Sequence, residues 1–350
     1  MLRFAPEPLG RASAQILEAA GAPEDVARRI AGWLVNANLS GHPSHGVIRI
    51  PQYVQQTIDG IYVPHALPEV IAETDTTLLI DGRRGFGHLA AEALTRALAE
   101  KSKSSRVAIG GIRNCNHIGR LGEWSELAAD LDVVFFMTAG GPGMMRTAPF
   151  GGAEGRMSTN PMTFAAPAAG DDEPMIMDFA TTASAEGKIR VARDKGVSIP
   201  EGQILDKDGR PSVDPNDLYA GGVMLPFGAH KGYGFLLMAE ILASNLTGAV
   251  EPEIPINRLG VFAFAIDTGA FGVGKAYHEA TSATFGRVRD TRPAEGFSEV
   301  LIPGDLERRS RAHLRSAGIE LPDATWENVL TTAESVGLGR AEVERLASGG

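Results

Sequence analysis

The sequence predicts an α/β protein with a separate all-helical portion. Two observations carry this. From Glu69 onward, short apolar runs alternate with amphipathic or alanine-rich stretches, the pattern of strands and helices in one fold. Residues 1–65, by contrast, contain helical patterns only. Glycine adds that turns and close backbone approaches are many: 42 of 350 residues, or 12%, against a typical ~7%.

Two amphipathic helices open the chain. In the second, Pro23, Glu24 and Asp25 suit a helix start, and Val26, Ile30, Trp33 and Leu34 share one face, with Gly41 as the stop. A third helix is expected from Ser44, a good N-cap, to the turn at Asp59-Gly60. EVIAE and TLLID read as strands around a Thr-Asp-Thr turn, followed by a helix from Leu89 to Lys103. VAIGGI and DVVFFMTA read as buried strands flanking the helix RLGEWSELAADL. MTFAAP and PMIMDFA are further strands, with a helix over Ala185–Arg193. Gly196 to Gly222, with three prolines and a DKDG turn, reads as a long loop. A nearly all-apolar helix follows Lys231, then the strand VFAFAID, and the chain closes in helices. The division expected is 1–65 helical, 66–305 α/β, and 306–350 helices packing back on the first segment.

Composition excludes several classes. Net charge is −10 with no basic stripe, so no nucleic-acid partner is expected. The longest apolar runs fall well short of the ~20 residues of a membrane span. MLRFAPEPLG lacks the apolar segment of a secretory signal, and Cys115 is the only cysteine. The sequence reads as soluble and cytoplasmic.

Gly85-Phe86-Gly87-His88-Leu89-Ala90 fits the G-x-G-x-x-A dinucleotide outline. Against it, four residues separate the strand from the first glycine, and no acidic residue ends a second strand about twenty residues on. A phosphate-binding G-x-x-x-x-G-K-[ST] loop is absent. Ser44-His45-Gly46-Val47-Ile48-Arg49 is more informative. On a helix His45 and Arg49 are i and i+4, with Tyr53 a turn further. The guanidinium disfavours the protonated imidazole, and together the pair suits a carboxylate beside an exchangeable proton. A plain surface His–Arg pair fits the same pattern. His117, at the end of VAIGGI beside Asn114 and Asn116, is a second acid–base candidate, or a satisfied structural histidine. His42, His45 and His117 could also form a zinc site of a hydrolase, although no HExxH, cysteine ligands or clustered carboxylates accompany them. The Ser158–Pro161 turn, the helix start after Asp178, and Lys231 at a buried helix start suit an anionic ligand.

Taken together, GHPSHGVIRIPQYV, NCNHIGRLGEWSELAA, APFGGAEGRMSTNPMTFAAP, DFATTASAEGKI, PFGAHKGYGFLLMAEIL and VLIPGDLE resemble the malate/L-lactate dehydrogenase type 2 family. The segments keep the expected order over residues 41–305. The resemblance implies NAD(P)-dependent hydride exchange at C2 of a small 2-hydroxy or 2-oxo carboxylate, or reduction of a cyclic imine such as piperideine- or pyrroline-2-carboxylate. It also implies a mixed-sheet cofactor domain that is not a Rossmann fold, a helical domain from the two chain ends, and a homodimer with the site near the subunit interface. By motif, His45 and His117 are the catalytic pair, and Ser44, Arg49, Tyr53 and Thr159 touch substrate. Asp178, Phe179, Ala180, Lys231, Gly232, Pro303, Gly304 and Asp305 match positions that hold NAD or NADP, and no metal is implied. Arg190 or Arg193 would serve a 2′-phosphate. Pro43 and Asp305 depart from the Asp and Glu common in relatives.

Overall fold

A computed structural model describes residues 2–141, 145–170, 172–249 and 259–349. Strand β1 (Leu2–Phe4) leads into α1 (Pro6–Ala19) and α2 (Glu24–Leu39). The α2 stripe Val26, Ile30 and Leu34 is buried, Trp33 is partly covered, and Pro23 stands just before the first helical residue.

The helix expected from Ser44 starts later. Two 3-10 turns, Pro43–His45 and Val47–Arg49, come first, and α3 spans Ile50–Ile58. Pro51 is the reason: its ring and missing N–H fit only the first turn of a helix. His45 and Arg49 therefore do not share a helix face.

The α/β region follows: β2 (Glu69–Glu73), β3 (Thr77–Asp81), α4 (Gly87–Ser105), β4 (Val107–Cys115), α5 (Gly122–Asp130), β5 (Val133–Gly140), β6 (Met162–Ala166), β7 (Met175–Phe179) and α6 (Glu186–Asp194). Strand β4 runs three residues past VAIGGI, so Asn114 and Cys115 belong to the strand. The segment read as a loop instead forms a small antiparallel sheet, ordered β10 (Val223–Met224), β8 (Ile204–Leu205), β9 (Pro211–Ser212), with the short helix α7 (Pro215–Tyr219) between β9 and β10. Ile189, Ile199, Ile204, Leu218 and Met224 give it a core of its own. Strands of two residues carry no alternation to read.

Helix α8 (His230–Glu240) continues as a π-turn through Asn245, then come β11 (Leu259–Asp267), α9 (Lys275–Arg289), α10 (Asp305–Ala317), β12 (Ile319–Leu321), α11 (Asp323–Ser335) and α12 (Arg340–Ser348). The main sheet is seven-stranded and mixed, ordered β2-β3-β4-β11-β5-β6-β7, and only β3 and β4 pair in parallel. Helices α4 and α5 pack on it over Leu78, Ile80, Leu94, Leu98, Trp124, Phe135 and Met137. A second core joins α1–α3 to β12, α11 and α12, so the two chain ends share one interior. Strand β1 pairs antiparallel with β12, Leu2 against Leu321 and Phe4 against Ile319.

The Gly85–Ala90 outline has another use. A β-carbon at Gly87 would overlap the carbonyls of Asn116 and His117. The glycine lets α4 start directly against the loop after β4. No described helix is long and apolar enough to cross a membrane.

Candidate active site

Asn38 of α2 holds the 3-10 turns in place, its Oδ1 accepting the Val47 N–H at 2.9 Å. Asn116 fixes the loop after β4, its Nδ2 donating to the carbonyls of Arg84 (2.8 Å) and Gly85 (3.0 Å). These anchors bring His45 and His117 face to face, ring centroids 5.5 Å apart and 21° from parallel. Ser44 Oγ lies 3.0 Å from His45 Nδ1. On His117, Nδ1 meets the Tyr53 hydroxyl at 2.6 Å and accepts the Gly119 N–H at 3.3 Å.

Tyr53 is fully buried, among the rings of Tyr62, Phe86 and His88. Its hydroxyl reaches His117, and no part of its surface is exposed. Behind the pair lies His88, 1% exposed, stacked on Trp33 at 5.8 Å and with neither ring nitrogen bonded to a described residue.

The site disfavours protonated imidazole. Burial first, then the charge of Arg49, pushes His45 down to about 3, with smaller effects from His42, Arg120 and His88. Burial, Arg49, His45 and His88 hold His117 well below its ordinary range. Burial alone takes His88 to about 3. Arg49 donates from Nε to the Ser44 carbonyl (2.6 Å) and from one terminal nitrogen to Gln52 Oε1 (2.7 Å). Among the described residues no carboxylate pairs with it. A half-buried cation that no carboxylate touches, with Glu186 near enough to feel its charge, stands beside two neutral imidazoles, an arrangement that suits a small anion.

Of the residues matched to a cofactor, Asp178, Phe179 and Ala180 stand at the end of β7, with Lys231 and Gly232 reached through Phe227. The N–H and hydroxyl of Thr181 both donate to the Thr159 carbonyl, at 3.0 and 2.8 Å. Phe179 meets Phe227 edge-on at 5.5 Å, and Phe227 stacks on Phe235 of α8 at 6.2 Å. A β-carbon at Gly232 would overlap the Phe227 carbonyl, so glycine is what lets α8 begin there. Lys231, expected in a buried setting, is exposed, because much of the apolar surface of α8 faces outward. In the first turn of α6, Gly187 packs against Ser44 and joins this cluster to the histidine turn.

Two expected cofactor residues are already committed to the fold. Asp178 Oδ2 accepts the Gly122 N–H at 2.7 Å; burial raises its carboxyl, and the charge of Arg120 pulls it back. Asp305, the first residue of α10, ties the helix start to the segment before it, accepting from Ile302 N–H (2.9 Å), Arg308 (2.6 Å) and Arg289 (3.2 Å). The Pro303 carbonyl accepts the Ile176 N–H at 2.9 Å, so Pro303-Gly304-Asp305 sits at the start of β7 and not at its end. Arg190 pairs with Glu186 at 2.6 Å, and the Arg193 guanidinium lies 4.2 Å over the Tyr219 ring. His42 faces Glu307 at 3.2 Å, and among the described residues no group of three or more His, Cys, Asp or Glu is placed to hold a metal.

Sequence reading missed two residues here. Buried Arg120 bridges the site to Glu126 (2.9 Å) and Glu123 (3.5 Å); their i, i+3, i+6 spacing was the available signal. His88 fills an unspecified position of the glycine motif, where nothing in the local sequence marks it.

The sequence profile of the malate/L-lactate dehydrogenase family matches residues 4–330. The L-lactate dehydrogenase of Cupriavidus necator is 33% identical over 331 residues, 92% of this chain and 94% of that protein. The solved structure of sulfolactate dehydrogenase from Methanocaldococcus jannaschii superposes with a TM-score of 0.86 at 31% identity, covering 97% of this chain and 99% of that one. That of Δ1-piperideine-2-carboxylate reductase from Pseudomonas syringae gives 0.82 at 29%, covering 95% and 100%.

Proposed function

The chain belongs to the malate/L-lactate dehydrogenase family, and from that premise we propose that it is an NAD- or NADP-dependent dehydrogenase acting at C2 of a small 2-hydroxy or 2-oxo carboxylate. Arg49 carries the reading. Its unpaired guanidinium anchors the carboxylate and so sets C2 and its oxygen beside the two histidines; positioning of this kind is worth ~7–11 kcal/mol in favourable cases. Being neutral, the imidazoles suit the oxidative direction, in which the substrate hydroxyl gives up its proton. Bound carboxylate offsets the charge of Arg49 and lets an imidazole hold that proton until it is returned.

The chain has features that fit a dinucleotide. Helix α8 begins without a side-chain cap, and Lys231 in its first turn is exposed and unpaired among the described residues, a pairing of amides and cation that suits a pyrophosphate. Phe179 and Ala180 stand next to this turn through Phe227. Bound nicotinamide supplies or takes the hydride. The side chains of Asp178 and Asp305 act by holding α5 and α10. In this reading the mixed-sheet region 66–305 is a cofactor domain outside the Rossmann class, framed by the helical segments 1–65 and 306–350, in a cytoplasmic enzyme.

A homodimer accords with the surface. Phe235, Leu237, Met238, Ile241 and Leu246 are exposed along α8 and the turn after it, and α9 buries only Phe285. The likeness to a piperideine-2-carboxylate reductase supports a second reading, because a cyclic imino acid also presents a carboxylate beside a reducible C2. Loss of reduced-nicotinamide absorbance, with NADH and NADPH in turn, tests both. The panel is pyruvate, oxaloacetate, phenylpyruvate, 2-oxoglutarate, pyruvate with methylamine, and the two cyclic imines. Turnover of oxo acids supports the first reading, turnover of imines alone the second, and bound cofactor with no turnover refutes both for these substrates.

A further inference from the structure

Two groups converge on one nitrogen of His117. The Gly119 amide can only donate, and it points at Nδ1 from 3.3 Å. A proton on Nδ1 would meet that N–H head-on, so the lone pair of Nδ1 faces it and the ring proton sits on Nε2. With Nδ1 an acceptor, the Tyr53 hydroxyl at 2.6 Å is the second donor. Tyr53 has no exposed surface and is packed among Tyr62 at 5.5 Å, His88 at 5.9 Å and Phe86 at 6.1 Å, an apolar setting that keeps the phenol protonated. His45 is set up differently. The partner of its Nδ1 is the Ser44 hydroxyl, which rotates to donate or accept, so His45 changes tautomer without losing the bond.

We propose that Tyr53 is a positioning residue which, with the Gly119 amide, fixes the proton of His117 on Nε2, so that His117 holds the substrate oxygen as a hydrogen-bond donor while His45 exchanges the proton. The inference rests on the dehydrogenase reading. In the oxidative direction the substrate O–H bond breaks and its proton passes to His45 Nε2. The electron pair of the C2–H bond would leave as hydride to bound oxidised nicotinamide, which would supply that chemistry, and His117 Nε2–H holds the oxygen of the C2=O double bond that forms. The charged and titratable groups facing His117 are Arg49, His45, His88 and Tyr53. None of them is an anion that would draw a second proton onto the ring.

The test has one arm that needs no turnover. Long-range nitrogen–proton NMR on the histidine-labelled full chain, with His117→Asn to assign the signal, reads the tautomer near neutral pH. An unprotonated Nδ1 and protonated Nε2 are expected, with Tyr53→Phe drifting towards a mixture; a protonated Nδ1 in the parent protein overturns the proposal. The kinetic arm uses Tyr53→Phe and His45→Ala. Loss of the tyrosine bond should lower kcat about tenfold with KM held within about twofold. A raised KM with kcat kept would mean that Tyr53 touches substrate, and overturns it. The rise of the oxidation rate with pH should vanish in His45→Ala; its survival there, with loss in His117→Ala, reverses the two roles. If the panel shows no turnover, the dehydrogenase reading fails while the tautomer still decides the role of Tyr53.

Discussion

Replacing Arg49 with Met tests the anchor on which the functional reading stands. A unit-charge pair at ~4 Å is worth ~4 kcal/mol at an effective dielectric of ~20. Arg49 is only half-buried and already spends two of its donors on Ser44 and Gln52, so the smaller range of a charged hydrogen bond applies, ~1.5–3 kcal/mol. That predicts KM for the carboxylate substrate higher by roughly 10- to 150-fold, with a further loss in kcat as C2 loses its alignment. Arg49→Lys should recover part of the affinity and less of kcat, since an ammonium cannot grip a carboxylate with two parallel bonds. The charge of Arg49 also depresses the imidazoles of His45 and His117. Removing it leaves burial as the main cause, so their pKa values rise but stay below the usual histidine range, and the rising limb of the oxidation rate moves to higher pH. Steady-state rates across pH, with thermal melts to confirm folding, read both effects. Unchanged KM and kcat in Arg49→Met, or a limb that moves to lower pH, would refute the reasoning.

Three further outcomes follow from single contacts. His88 stays neutral in the fold down to about 3, whereas the unfolded chain takes its proton near 6.5. Its contribution is thus complete above the unfolded value and is lost as pH falls towards the folded one, at up to ~1.4 kcal/mol per pH unit; His88→Leu should flatten the acid limb of stability in urea titrations. Lys231→Ala should weaken binding of the reduced cofactor about tenfold in fluorescence titration, with the melting temperature unchanged because the side chain is exposed and unpaired. Gly232→Ala places a carbon in the Phe227 carbonyl, so cofactor binding and several degrees of melting temperature should be lost together.

What the sequence made legible follows from the range of the forces involved. Long periodic elements, such as α2 and α4, are readable because their apolar stripe is a local pattern, and the central strands β4, β5 and β11 of the main sheet because their apolar runs are. The order of that sheet is not, since β11 inserts between β4 and β5 from far along the chain. Two-residue strands such as β8 and β9 have no period at all. At the site, His45, Arg49 and His117 were found as residue types in informative company, yet their supposed helical spacing was wrong because Pro51 moves the helix start. Nothing local reveals that α3 buries Tyr53 against His117. Asp178 and Asp305 illustrate the converse: motif position marks them, but their partners Gly122, Arg289 and Arg308 show that their carboxylates hold elements together.

Pairing β1 with β12 has a consequence for how the protein is made. The apolar faces of α1 and α2, with Leu9, Ile16, Leu17, Ile30 and Leu34, find part of their cover in α11 and α12, about 300 residues further along. At ribosomal rates of ~5–20 residues per second, the first helices wait roughly 15–60 s for those partners to emerge. Over that interval the nascent chain carries an unfinished greasy surface next to the ribosome. Folding yield in the cell should therefore depend on holdase chaperones, and a stall late in translation should be more damaging than one in the middle of the sheet.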